Sequence, residues 1–223
     1  MSASRGPFDP SFDQLPARLP LFPLTGALLL PRGRLPLNVF EPRYLAMVRH
    51  ALAHGRMVGM IQPLEGRGDA GDPPLYRTGC MGRIVEFQEL TAEGRFVLTL
   101  LGVSRFDVAE EMRREDLFRI VQPDWSRWRA DLDGHEPRLD RDRLMAAVKP
   151  YFHRHGITAD LAAIAQAPGE RLITSLAMGC PFAPREKQAL LETADAAACG
   201  ELLTALMEMA VRGTVGEGND TRN

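Results

Sequence analysis

Residues 19–48, LPLFPLTGALLLPRGRLPLNVFEPRYLAMV, decide how this chain folds. The first twelve are nearly all apolar, but Pro20, Pro23 and Gly26 interrupt them. A membrane-spanning helix needs roughly 20 consecutive apolar residues, so no crossing is expected here. Proline fixes φ and removes a backbone donor, which suits short extended pieces joined by bends. Residues 19–24, 27–30 and 35–39 therefore read as short strands, with a turn at Pro31-Arg-Gly-Arg34. At Pro42 the period changes. Tyr44, Leu45, Met47, Val48, Ala51 and Leu52 recur at helical spacing, and Gly55 supplies a stop. Pro42 suits the first helical position, and Glu41 suits the positive end of the helix dipole.

Outward from that stretch, residues 58–62 read as a strand and residues 65–74 as a polar loop rich in glycine and proline. Two apolar runs, 84–90 and 96–103, flank Thr91-Ala-Glu-Gly94 and predict a hairpin. A last strand is expected at 118–122. Many short strands with turn signals, plus one helix, suggest a closed or nearly closed barrel. Beyond Trp125 the composition shifts. Residues 124–138 mix both charge signs and read as a solvated connector. Helical spacing then recurs from Leu139, with further helices at 161–166, 170–178, 184–192 and 195–211, the last capped by Thr193. The expected organisation is a disordered tail at 1–14, a β-barrel domain at 15–123, the connector at 124–138, a helical subdomain at 139–212 and a second disordered tail at 213–223.

With 223 residues, 45% hydrophobic, 25% charged and a formal net charge of −2, the composition is globular and lacks the basic excess of a phosphate-backbone binder. Three cysteines without a C-x-x-C pair argue against both a disulfide framework and a thiolate zinc site, and the N-terminus makes a poor signal peptide. A cytoplasmic location is expected. No P-loop is present, because Lys149 follows Val148 and Lys187 follows Glu186. Outside the N-terminal tail the serines are Ser104, Ser126 and Ser175, and Lys187 sits in a polar helical run that reads as solvated. His50 and His54 stand at i and i+4 without an intervening H-E-x-x-H glutamate, and His153 and His155 close a helix. Cys80, Cys180 and Cys199 read as small core side chains. Arg127 and Arg129 alternate with Trp125 and Trp128, a pattern that could stack on bases, but Asp124, Asp131 and Asp133 dilute it. No enzyme motif survives, so neither catalysis, a cofactor nor a metal is expected. In FEPRY, residues 40–44, Phe40 and Tyr44 are expected in the core while Glu41 and Arg43 satisfy backbone groups at the strand-to-helix junction.

In their order, LPLFPL, the proline-bounded LLLP, LPLNVFEPRYLAMV and the later GRIVEFQELTAEGRFVLTLLGVSRFDV resemble the N-terminal substrate-binding domain of Lon proteases. The hairpin includes the Gly102-x-x-Arg105 step, and MGCPFAPREKQALLE resembles a segment of small stand-alone bacterial members that lack ATPase and protease domains. The resemblance covers about residues 19–211. It implies an α+β fold, a PUA-like, mostly antiparallel β-barrel with one inserted helix followed by an all-helical bundle. It also implies a non-catalytic module, related to protein quality control, that binds unfolded or extended polypeptide segments or a partner protein. Two modes are open: a peptide strand added to a sheet edge, or a side chain docked in an apolar pocket. The expected lining of a groove between barrel and bundle is Phe40, Arg43, Tyr44, Phe87 and Arg105, with Glu41 and Pro42 as the structural junction. RNA binding by a PUA-like barrel is the alternative reading, and a small-molecule hydrolase built from Ser175, Lys187 or the histidines is the third.

Overall fold

The computed structural model describes residues 10–64, 73–90, 94–112, 117–134 and 136–212. Most of both expected tails, the greater part of the 65–74 loop and the tip of the expected hairpin lie outside these residues. Within the stretch expected as N-terminal tail, Phe12–Gln14 forms a 3-10 turn, and the Arg129 guanidinium lies 3.7 Å from the Phe12 ring centroid.

Six strands are found among the described residues: β1 (Leu19–Pro23), β2 (Arg34–Val39), β3 (Met57–Ile61), β4 (Thr78–Leu90), β5 (Arg95–Glu111) and β6 (Ile120–Asp124). They pair in the order β2-β5-β4-β3-β1-β6, and β6 pairs again with β5. Pairing therefore runs in a circuit through β5, β4, β3, β1 and β6, with β2 attached outside it. Only β1–β3 is parallel. Helix α1 (Pro42–Ala53) lies between β2 and β3 in the chain, starting at Pro42 as its spacing predicted. Residues 27–30 form no strand, although Leu28, Leu29 and Leu30 are buried: here an apolar run marks burial rather than strand pairing.

The apolar runs are nearly continuous because the sheet is covered on both faces. Alternation along each strand splits the side chains. Leu19, Leu21, Ile61, Met81, Val103, Phe106 and Val121, drawn from all five strands of the circuit, form one cluster. Phe22, Val58, Met60, Cys80, Ile84, Leu98 and Leu100 belong to a second cluster, which also holds α1 and the helices of the C-terminal half.

Those helices are α2 (Arg141–His155), α3 (Leu161–Gln166), α4 (Gly169–Gly179), α5 (Pro184–Leu191) and α6 (Ala196–Arg212). Asp140 caps α2 by accepting from the Arg143 N–H, and Asp160 caps α3 by accepting from the Ala162 and Ala163 N–H groups. The expected Thr193 cap is not made. Thr193 donates to the Leu190 carbonyl, and the Asp195 carboxylate takes the Ala198 N–H in the first turn of α6.

Side chains from α5 fasten the helices to the sheet. Gln188 donates to the Thr78 carbonyl at 3.1 Å, and Gln62 bridges the Gly26 N–H and the Pro184 carbonyl. Lys187, expected on a solvated face, instead donates from Nζ to the Gly26 carbonyl at 2.8 Å, and burial holds its pKa below the usual lysine range.

Candidate functional site

The five residues expected to line one groove do not share one. Phe40 is 66% exposed rather than in the core. Tyr44 is buried, its ring 4.4 Å from Phe22 and its hydroxyl donating to the Pro23 carbonyl at 3.3 Å. Arg43 pairs with Glu41 and lies 4.5 Å from the Tyr44 ring centroid. The Glu41 carboxylate therefore serves Arg43 and not the free N–H groups of α1, whereas the Glu41 carbonyl accepts from the Tyr44 and Leu45 N–H groups. Phe87, 37% exposed, sits edge-on against Phe96. Register places Arg105 opposite Cys80, seven residues along β4 from Phe87, a separation of roughly 23 Å along a strand.

Arg105 is committed to the fold. One edge of β5 pairs with β2 through residue 101 and with β6 from residue 107 onward, which leaves a gap between them. The 3-10 helix Ser126–Leu132 fills it: Asp131 accepts the Arg105 backbone N–H at 2.9 Å and the guanidinium at 2.9 and 2.6 Å. The remaining Arg105 donors reach the Leu191 and Thr193 carbonyls at 3.1 and 2.5 Å. Arg105 and Arg127 lie 3.9 and 4.2 Å from the Trp128 ring centroid, and Trp128 is 1% exposed. The stretch expected as a solvated connector is thus packed, because its arginines and tryptophans satisfy one another. Trp125 bonds the Pro16 carbonyl and meets Phe106 edge-on, so neither indole is left to stack on a base.

His50, His54, His153 and His155 do not converge with Ser175. His50 and His54 stack at 4.3 Å on α1, and no group of three potential metal ligands occurs among the described residues. Lys187 is tied to Gly26, and among the described residues no histidine lines the cleft in which Ser175 stands. The three cysteines are buried and free; burial raises all three thiols, Cys180 to about 12 and Cys199 to about 11. A raised thiol pKa means little thiolate, the reactive form, at pH 8. Iodoacetamide at that pH is therefore expected to label none of the three in the folded protein and all of them in guanidinium. Labelling of the native protein, read by intact mass, would contradict this burial.

The strand-addition mode meets an obstacle at β2. The Gly102 N–H donates to the Gly33 carbonyl, which sets the parity of the β2–β5 ladder. Arg34, Pro36 and Asn38 therefore point their backbone groups away from β5, toward the open edge. Pro36 has no N–H to offer there, and a proline at this position blunts an edge against strand addition.

Besides a cleft of about 410 Å³ that Arg105 and Asp131 line, the described residues form an apolar cleft among the helices. It encloses about 670 Å³ between the end of α2, α3 and α4. Its floor is Phe152, Leu172, Leu176 and Cys180, all buried, and its walls carry Ile164, Ala163, Ala167, Ser175 and Gly179. Small wall residues let an incoming backbone approach closely, and the volume lies within the range of ordinary ligand sites. Arg141 anchors the α3 wall by donating to the Ala165 and Ala167 carbonyls at 2.7 and 2.8 Å. Sequence periodicity located α3 and α4 but could not tell which of their faces stay uncovered.

Comparison with known proteins follows the same line. The family model described as the ATP-dependent protease La (LON) substrate-binding domain matches residues 18–209. Lon protease of Anaeromyxobacter dehalogenans is 30% identical over 99 residues, 44% of this chain and 12% of that protein. Lon protease 2 of Myxococcus xanthus is 25% identical over 201 residues, 87% of this chain and 24% of that protein. The chain thus spans a quarter or less of the length of these relatives. A crystal structure of a Lon N-terminal domain protein from Xanthomonas campestris aligns with a TM-score of 0.60 and 26% identity over 84% of this chain and 97% of that one. The N-terminal domain of a Mycobacterium avium complex Lon protease shares the fold, with a TM-score of 0.57 and 14% identity over 86% and 98%.

Proposed function

Because the chain belongs to the Lon substrate-binding domain family, we propose that it is a non-catalytic, cytoplasmic module of protein quality control that captures exposed apolar segments of polypeptides. The strand circuit supports a closed, PUA-like barrel as its frame, with residues 139–212 as a helical subdomain. The cleft between α2, α3 and α4 is the binding site in this reading. The observation that carries it is the cleft itself, a cavity of about 670 Å³ with a buried apolar floor and walls of small residues. An apolar side chain entering such a site leaves water, a gain of about 25 cal/mol per Å² of apolar surface buried. Orientation can come from Gln166, Arg171 and Ser175, the polar side chains among its lining.

Phe40 and Phe87, both exposed, serve as a second contact for a long substrate. The discriminating variant is Ser175→Trp. Ser175 is exposed and lines the cleft, so an indole there occupies the space without disturbing the core. Saturable binding of a reduced, alkylated and unfolded polypeptide is expected for the wild type. In Ser175→Trp the Kd should rise about tenfold or more, a loss of about 1.4 kcal/mol, with an unchanged melting temperature. Equal binding by both proteins would remove the cleft from the proposal, and no binding by either would remove the function.

A further inference from the structure

Polypeptide capture by an apolar cleft leaves open which apolar segments it favours, and the charge of the cleft wall bears on that. Among the described residues, Arg171, on the first turn of α4, is the one ionised residue lining the cleft, and no carboxylate lines it. Its neighbour Glu170 points elsewhere, pairing with Arg32 at 2.5 Å, and Glu136 accepts the Gly169 N–H at 2.7 Å. The Arg171 side chain has no hydrogen-bond or ion-pair partner among the described residues. Arg171 and Gly179 stand eight residues apart on the same helix and mark the two ends of the α4 wall, about 12 Å at 1.5 Å per residue. Between them the wall presents Leu172, Ser175 and Leu176.

We infer that the cleft selects apolar polypeptide segments carrying a carboxylate, an Asp or Glu side chain, which pairs with Arg171 while neighbouring apolar side chains fill the floor between Leu172 and Cys180. This rests on the polypeptide-binding reading above and specifies its substrate class. Guanidinium and carboxylate match as a two-pronged pair, and at the rim of an apolar cleft the pair is partly shielded from water, so it is stronger than a fully exposed one. A lysine at the same place in the substrate would meet Arg171 with like charge and no compensating anion, which rejects it.

The test uses the full chain and three otherwise identical twelve-residue peptides rich in Leu and Phe, with Glu, Gln or Lys at one central position, titrated calorimetrically in 50 mM salt. The Glu peptide is expected to bind about threefold more tightly than the Gln peptide and about tenfold more tightly than the Lys peptide. In Arg171→Gln the three affinities should converge, with the melting temperature unchanged because Arg171 is exposed. Raising the salt to 0.5 M should narrow the wild-type spread. If the wild type binds all three peptides equally, the selectivity is overturned while polypeptide capture stands. If it binds none, both fall. If the Glu preference survives Arg171→Gln, the selecting group lies outside this cleft and the assignment is wrong.

Discussion

Replacing Arg105 with methionine is expected to lower stability by about 3–5 kcal/mol, because it strands the buried Asp131 carboxylate without its cation. Both side chains are 7% exposed, and the Leu191 and Thr193 carbonyls lose their donor in the same step. For a chain of this length each kcal/mol is worth about 2–4 °C, so the melting temperature should fall on the order of 10 °C. Arg105→Lys should recover little, since an ammonium cannot span the two carboxylate oxygens and two carbonyls at once. Removing both charges, Arg105→Met with Asp131→Leu, should be milder than the sum of the single changes. It will still fall short of the wild type, because the Arg105 backbone N–H also depends on Asp131. A thermal melt separates this role from the groove-lining role expected of Arg105. If Arg105→Met melts like the wild type but no longer binds polypeptide, the arginine is a ligand residue and the clamp is secondary.

The second large effect is expected three residues earlier. A Cβ on Gly102 would stand 2.0 Å from the Leu30 carbonyl oxygen and 2.8 Å from its carbon. Both are backbone atoms. The two chains are also held together there: Arg32 N–H donates to the Gly102 carbonyl at 2.8 Å, and Gly102 N–H donates to the Gly33 carbonyl at 2.8 Å. A single methyl group must break that crossing or move both strands, so Gly102→Ala is expected to cost about 3 kcal/mol or more, the upper range of overpacking effects. Gly179→Ala is the control. Its Cβ would meet nothing within 4 Å, and as the last residue of α4 it holds no left-handed φ that would demand glycine, so it should be neutral or slightly stabilising. Urea denaturation of the two variants decides the matter; a Gly102→Ala protein within 0.5 kcal/mol of the wild type would show that the crossing yields.

These two residues explain why a short sequence step is so informative. Gly102 lets residues 30–33 cross β5 at contact distance, and Arg105 then clips the 3-10 helix and the α5–α6 connection into the gap between β2 and β6. The rest of the candidate site follows from how the helices assemble on that frame. Phe152, Leu172 and Leu176 lie on helices that spacing located, and they are buried. That the same residues also floor an open cleft could not be read, because spacing reports that a face is apolar and not whether a neighbour covers it.

By itself the sequence determined the elements with strong local causes. Prolines and the change of period at Pro42 set β1, β2 and α1, and apolar runs flanking a turn set β4 and β5. It also separated a β-rich half from a helical half. Tertiary structure decided what local pattern cannot encode. Residues 28–30 are buried without a strand, Trp128 is enclosed between two arginines, Phe40 is left in water, and the Arg105 guanidinium is tied to Asp131. The physical reason is the same throughout: burial, ion pairing and the coverage of a face are properties of the partners that meet a residue, and those partners lie as far as 161 residues away in the chain.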